Sequence, residues 1–136
     1  TGESGNAEAV RSWVASGADI NVLDVNGNSP LMEASFGQSA TCVAEMLRLG
    51  AIARHANHAG RTALHRLAHG GRDESREGAE VVRLLVEAGC NPTARDHHGL
   101  TAAAHAAQRA GVWWGLVVQR WVAAAWIPAL AGVQNQ

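Results

Sequence analysis

Two series of glycines recur along this chain of 136 residues with the same pair of spacings. The first series is Gly17, Gly50 and Gly89, and the second is Gly27, Gly60 and Gly99. The interval from Gly17 to Gly50 equals that from Gly27 to Gly60. The interval from Gly50 to Gly89 likewise equals that from Gly60 to Gly99, and this second interval is the longer one. A shared period of this length predicts a stack of similar units, each of which packs only against its neighbours. The longer interval places six additional residues in one unit.

Each unit is predicted to consist of a turn followed by two helices. A hydroxyl residue that can cap a helix precedes an Ala- and Leu-rich segment in each unit: Ser29, Thr62 and Thr101. Apolar residues at the spacing i, i+3 and i+4 within 43–47 and 82–86 indicate the buried stripe of the second helix. The first series of glycines follows these helices and can adopt the left-handed conformation that ends them. The second series follows Asx residues and indicates tight turns.

The motifs inside this period resemble those of the ankyrin repeat. Thr62-Ala63-Leu64-His65 is the best match to the start of the family's first helix, and 84–89 matches the end of its second helix. Ser29-Pro30-Leu31-Met32 keeps three features of the motif but lacks the histidine. The resemblance implies an all-α ankyrin-repeat solenoid of stacked helix-turn-helix units with short β-hairpin-like turns. It also implies that the ring of His65 is hydrogen-bonded to backbone at the junction of two repeats.

The whole chain, residues 1–136, is expected to form one ankyrin-repeat domain. Its expected parts are a partial unit at 1–23, a unit at 24–56, a unit at 57–95 with an insertion at 70–79, and a diverged last unit with a tail at 96–136. The partial first unit and the uncapped last unit lead us to expect that the chain is a fragment of a longer protein.

The charge balance argues against several classes of partner. Charged residues make up 17% of the chain and the net charge is −1, so no strong basic surface is available for nucleic acid or an anionic membrane. The apolar segment 112–133 is interrupted by Gln119, Arg120 and Pro128, so we expect no membrane span. Cys42 and Cys90 are too few for a disulfide scaffold, which favours an intracellular, reducing compartment such as the cytoplasm or nucleus.

No enzymatic activity and no cofactor are expected. The chain contains neither a Gly-rich phosphate loop nor a Gly-x-Ser-x-Gly motif. His65 and His69 are four residues apart and would share one helix face, so a metal-binding module built on the histidines is an alternative. No cysteine or carboxylate completes a convincing ligand set, and no metal site is predicted.

The resemblance implies that function is binding of another protein or peptide on the concave surface of turn tips and inner helices. The residues expected there are Phe36, Arg54, His58, Arg61, Arg66, His69, Arg95, His97, His98 and Arg109. Because this set is rich in arginine and histidine, it favours an acidic peptide or an acidic protein surface. Phe36 is the one aromatic candidate on this surface, and it could equally belong to the core.

The C-terminal segment departs most from the family pattern, because four of the five tryptophans lie between 113 and 126. Pro128 is expected to end the last helix. Two interpretations are open for Trp113 and Trp126. They either fold back over the last unit or form, with Ile127, an interface for homo-oligomerisation or assembly. This assembly scaffold is the alternative function.

Overall fold

The computed structural model describes the backbone of residues 2–70 and 76–134 and the side chains of residues 7–70 and 77–125. These residues form seven α-helices and no β-strand. The helices are α1 (Gly2–Ala15), α2 (Pro30–Phe36), α3 (Ala40–Arg48), α4 (Ala63–His69), α5 (Arg76–Glu87), α6 (Ala102–Ala110) and α7 (Val112–Gln134). The predicted turn, helix, helix order of each complete unit is therefore confirmed.

The helices form two layers that share one core. The inner layer is formed by α2, α4 and α6, each of which packs on the next, and the outer layer by α1, α3, α5 and α7. Buried side chains from both layers meet between them in a continuous cluster that extends from Val10 to Ala125. Each unit thus buries its apolar face only by stacking, as expected for a solenoid.

The predicted helix boundaries have the expected local chemistry. The Ser29 hydroxyl accepts a hydrogen bond from the Met32 N–H at 3.3 Å, and Pro30 occupies the first position of α2. The Thr101 hydroxyl accepts from the Ala104 N–H at 3.2 Å. The glycines that follow α1, α3 and α5 have left-handed φ angles of 102°, 101° and 108°: Gly17, Gly50 and Gly89. These caps satisfy backbone groups that a helix end leaves unpaired.

Successive turns contact each other through a histidine that lies over a glycine. A Cβ atom at Gly27 would lie 2.7 Å from the His58 ring, and one at Gly60 would lie 2.6 Å from the His97 ring. Both glycines also have positive φ, at 81° and 76°. The backbone N–H of each histidine donates to a carbonyl oxygen of the preceding turn, at 3.1 Å and 2.9 Å respectively. Glycine is therefore required for both the turn and the stacking.

His65 joins two repeats, as the family resemblance implies. Its Nδ1 accepts a hydrogen bond from the Thr62 N–H at 3.1 Å, which places the ring proton on Nε2. Nε2 then donates to the Leu100 carbonyl oxygen in the next unit at 2.8 Å. Burial lowers the pKa of His65, which is consistent with a neutral ring in this position.

The last helix packs against the preceding unit through Trp114 and Trp121. Trp114 is completely buried, and its indole N–H donates to the Ala68 carbonyl oxygen at the end of α4, at 2.9 Å. The Trp121 ring meets Trp114 edge to face at 5.5 Å. Trp121 also lies over Gly78 of α5, where a Cβ atom would be 2.6 Å from the indole. These two tryptophans cover the end of the third unit.

One prediction for the C-terminal segment is wrong, and one of the two open interpretations of Trp113 is favoured. Trp113 is 56% exposed, which favours the interface interpretation, although its ring centroid lies 6.5 Å from that of Trp114. The side chains of Trp126 and Ile127 lie outside the described residues. Pro128 does not end α7, which continues to Gln134. An interior proline removes one helical hydrogen bond and crowds the carbonyl oxygen four residues earlier, but the helix continues past it among Ala-rich residues that favour helix.

The insertion at 70–79 contributes its last four residues to the start of α5. Glu77 lies in the first turn of this helix, and its carboxylate accepts a hydrogen bond from the Ala40 N–H at 3.3 Å. This contact caps α3 of the preceding unit, so the insertion connects two repeats. Residues 71–75 lie outside the described part of the chain.

Candidate protein-interaction surface

Six side chains form a row across the three inner helices, and we call this row the inner-helix face. It consists of Glu33 and Phe36 on α2, Arg66 and His69 on α4, and His105 and Arg109 on α6. Arg66 follows Glu33 by one repeat period, and His69 follows Phe36 at the same interval, so these pairs occupy equivalent positions on neighbouring helices. Stacking of the repeats therefore converts a sequence period into one continuous surface.

Arg66 links α4 to α2 by two contacts. Its guanidinium donates to the Glu33 carboxylate at 3.2 Å. The guanidinium carbon lies 4.7 Å from the centroid of the Phe36 ring, a cation–π geometry. Only 19% of the Arg66 side chain is exposed, and its buried Nε has no hydrogen-bond partner within the described residues. Phe36 is exposed, which resolves the alternative of a core position.

His69 and His105 link α4 to α6. The His69 Nδ1 lies 3.1 Å from the His105 Nε2, and the rings stack with centroids 5.4 Å apart. One nitrogen must donate and the other accept. Burial, together with nearby arginines, lowers the pKa of His69 and lowers that of His105 to about 4. Near pH 7 both rings are thus neutral, and the arginines supply the positive charge of this face.

Arg109 is the exposed cation of the row. Its Nε donates to the His69 carbonyl oxygen at 3.3 Å. No carboxylate lies within ion-pair distance of it in the part of the chain that the structure describes. The guanidinium therefore retains donors that can bind an external acceptor.

The turn tips carry the remaining basic candidates. Arg61 pairs with the buried Asp96 carboxylate of the next turn at 3.3 Å, so its charge is already paired within the protein. Arg95 is exposed, and its guanidinium donates to the Gly99 carbonyl oxygen at 2.9 Å. His97 and His98 are also exposed on this turn. His58 is exposed on the preceding turn, where its ring lies over Gly27.

Arg54 lies apart from the inner-helix face. It lines a cavity of about 500 Å³ together with Asn21, Leu23, Ser29, Ile52 and His55. This cavity shares no lining residue with the inner helices. The structure thus brings Phe36, Arg66, His69 and Arg109 together and separates Arg54 from them.

His105, which is buried and contacts His69 from α6, is missing from the residues predicted from the sequence. It lies four residues before Arg109, so the helical period alone places the two on one face of α6.

Within the described residues no group of three histidine, cysteine or acidic side chains comes together in a way that could hold a metal ion. Cys42 and Cys90 are both free thiols, and burial raises the pKa of Cys90.

The architecture of stacked helix pairs with linked turns defines a helical repeat protein. The chain belongs to the ankyrin-repeat family, because the family model described as "Ankyrin repeats (3 copies)" matches residues 2–96. Ankyrin repeats are generally protein–protein interaction modules and are typically not enzymes.

One similar protein is Zygote-specific protein 3 of Chlamydomonas reinhardtii. It is 35% identical to this chain over 91 residues, which is 67% of the chain and 23% of the relative. The chain therefore spans about a quarter of the length of that protein.

Among the described residues, no helix is both long enough and apolar enough to cross a membrane.

Proposed function

We propose that this domain binds a partner protein or an acidic peptide through the inner-helix face and the adjoining turn tips. The observation that carries the proposal is the unbroken row of contacts from Glu33 and Phe36 on α2 to Arg109 on α6. A rigid row of this kind loses little side-chain entropy on binding, since most of its members are already in contact.

The charges of the row favour an acidic partner. Arg109 has no carboxylate beside it among the described residues. Arg66 pairs with Glu33, whose carboxylate is exposed to solvent. A partner carboxylate between the two arginines would accept charge-assisted hydrogen bonds. The neutral His69 ring beside them can donate or accept one further hydrogen bond.

Phe36 supplies the apolar part of the same surface. Its ring is exposed and is held between the Arg66 guanidinium and the His69 ring, whose centroid is 6.1 Å away. Phenylalanine and arginine are both enriched at protein–protein interfaces. The proposed partner segment therefore combines an acidic residue with an apolar one.

An affinity capture with the immobilised domain tests this proposal. The informative variant is Arg109→Glu, because Arg109 makes only one backbone hydrogen bond within the described protein. Its matched control is Arg120→Glu, an equal charge change at an exposed position on α7. Proteins captured by the wild type and by Arg120→Glu should be lost with Arg109→Glu, and added salt should weaken capture. Equal capture by all three would refute the proposal.

Assembly through the start of α7 is the second candidate function. Val112, Trp113 and Leu116 are all largely exposed there, and together they form an apolar patch. Light scattering tests this candidate directly. The wild type should have a concentration-dependent mass that Trp113→Arg abolishes, and a monomer at every concentration would refute self-assembly.

A further inference from the structure

The three connections between an outer helix and the next turn differ in whether the residue two places after the glycine can accept a hydrogen bond. Asp19 in the first connection accepts a hydrogen bond from the Asn21 N–H at 2.9 Å. Asn91 in the third accepts from the Thr93 N–H, also at 2.9 Å. The equivalent residue of the second connection is Ile52, whose side chain cannot accept a hydrogen bond. This repeat therefore gives up a turn-stabilising contact that the other two make.

Ile52, which occupies this position in the second connection, exposes apolar surface to solvent. Ile52 is 49% exposed, and so is Leu23 on the preceding connection. Both line the cavity of about 500 Å³ described above. The residues equivalent to Leu23 in the other units are Ala56 and Arg95, so this pair of large aliphatic side chains occurs at one of the two junctions between neighbouring connections. Apolar surface exposed at the expense of a local hydrogen bond indicates a binding role.

The wall of the cavity is fixed by hydrogen bonds between the two units. The Asn21 side chain accepts from the Ile52 N–H at 2.9 Å and donates to the Gly50 carbonyl oxygen at 3.2 Å. The His55 Nε2 donates to the Gly27 carbonyl oxygen at 2.8 Å. The cavity is therefore preformed, and a ligand would not need to order it.

The polar end of the cavity is positively charged. Arg54 is exposed and makes no ion pair within the described residues, and no acidic residue lines the cavity. It stands at the position of Asn21 and Thr93, which are uncharged. Charge complementarity thus favours a carboxylate near an aliphatic group.

We propose that this cavity, formed by Leu23, Ile52 and Arg54, binds a peptide segment in which an aliphatic side chain lies next to a carboxylate. The aliphatic side chain contacts Leu23 and Ile52, and the carboxylate accepts hydrogen bonds from Arg54. This is a second peptide site, and it is separate from the inner-helix face because the two share no residue.

Selection from a library of short random peptides displayed on phage tests this proposal, with the wild-type domain as bait. The informative variant is Ile52→Asp, because it introduces the residue that the first repeat has at Asp19. This substitution is expected to restore the turn hydrogen bond, so circular dichroism should show an equally folded domain. A second variant, Arg54→Glu, reverses only the charge. Arg109→Glu serves as a control that changes the inner-helix face and leaves the cavity intact.

The expected result is enrichment of peptides that pair an aliphatic residue with an acidic one. Their affinity should fall by about tenfold or more for Ile52→Asp, as for loss of a central apolar contact, and remain unchanged for Arg109→Glu. Arg54→Glu should instead select basic residues beside the aliphatic one. Peptides whose binding is insensitive to Ile52 would overturn the proposal. Self-association that depends on Ile52 would also overturn it, in favour of a second copy of the chain.

Arg109→Glu tests the inner-helix face and serves as a control for the cavity, so the two proposals can fail separately. Loss of the peptide interaction with Arg109→Glu alone would refute the cavity and leave the inner-helix face in place. Loss with Ile52→Asp alone would support the cavity whatever the outcome of the affinity capture.

Discussion

Replacing Trp114 by phenylalanine should destabilise the domain strongly, because the indole has two roles at the end of α4. The substitution removes the hydrogen bond to the Ala68 carbonyl oxygen and leaves that buried acceptor unpaired. An unpaired buried acceptor costs about 1 to 3 kcal/mol. The smaller ring also leaves a void beside Trp121, which adds about 1 kcal/mol. We therefore expect the free energy of unfolding to fall by about 2 to 4 kcal/mol.

Urea titration followed by circular dichroism measures this change, with Trp113→Phe as the matched control. Trp113 is the adjacent residue and has the same side chain, but it is largely exposed. Its substitution should change the free energy of unfolding by less than about 0.5 kcal/mol. Equal destabilisation by the two substitutions would show that Trp114 does not anchor α7. An unchanged value for Trp114→Phe would refute the docking of α7 on α4 altogether.

Three further predictions concern protonation and packing. The pKa of His105 is about 4 in the folded protein and about 6.5 when unfolded, so the unfolded chain binds the proton first as pH falls. Stability should therefore fall by at most about 3 kcal/mol between these pH values, and a urea series should show a shallower fall for His105→Gln. Gly78→Leu would place side-chain atoms within the Trp121 ring, and its melting temperature should drop with a loss of about 1 to 3 kcal/mol. Arg61→Glu removes the ion pair of the buried Asp96 carboxylate and places a like charge beside it, which should cost about 2 to 4 kcal/mol in urea titration, whereas an unchanged midpoint would refute a stabilising pair.

The fold could be predicted because its determinants are local and periodic. The two glycine series, the hydroxyl before each inner helix and the helical spacing of apolar residues all recur in the same phase along the chain. His65 could be assigned to a repeat junction because the family motif places a histidine there. The structure confirms its contacts with Thr62 and Leu100.

The candidate surface was only partly predictable, because the sequence does not show which charges are already paired. Arg61 and Arg66 look equivalent to Arg109 in sequence, but the first two make ion pairs with carboxylates 35 and 33 residues away. The neutral state of His105 depends on burial between helices that are distant in the chain. The local preference of Pro128 predicts a helix end, but α7 continues past it to Gln134.

The contact between neighbouring turns has a consequence for changes in chain length. The His58 ring meets Gly27 and the His97 ring meets Gly60 at nearly the same distances. The first pair spans the unit at 24–56, and the second spans the longer unit at 57–95 that carries the insertion. The extra residues therefore leave the registration of the turns unchanged. The junction between an inner and an outer helix is thus the place where a binding loop could be grafted while both neighbouring surfaces keep their geometry.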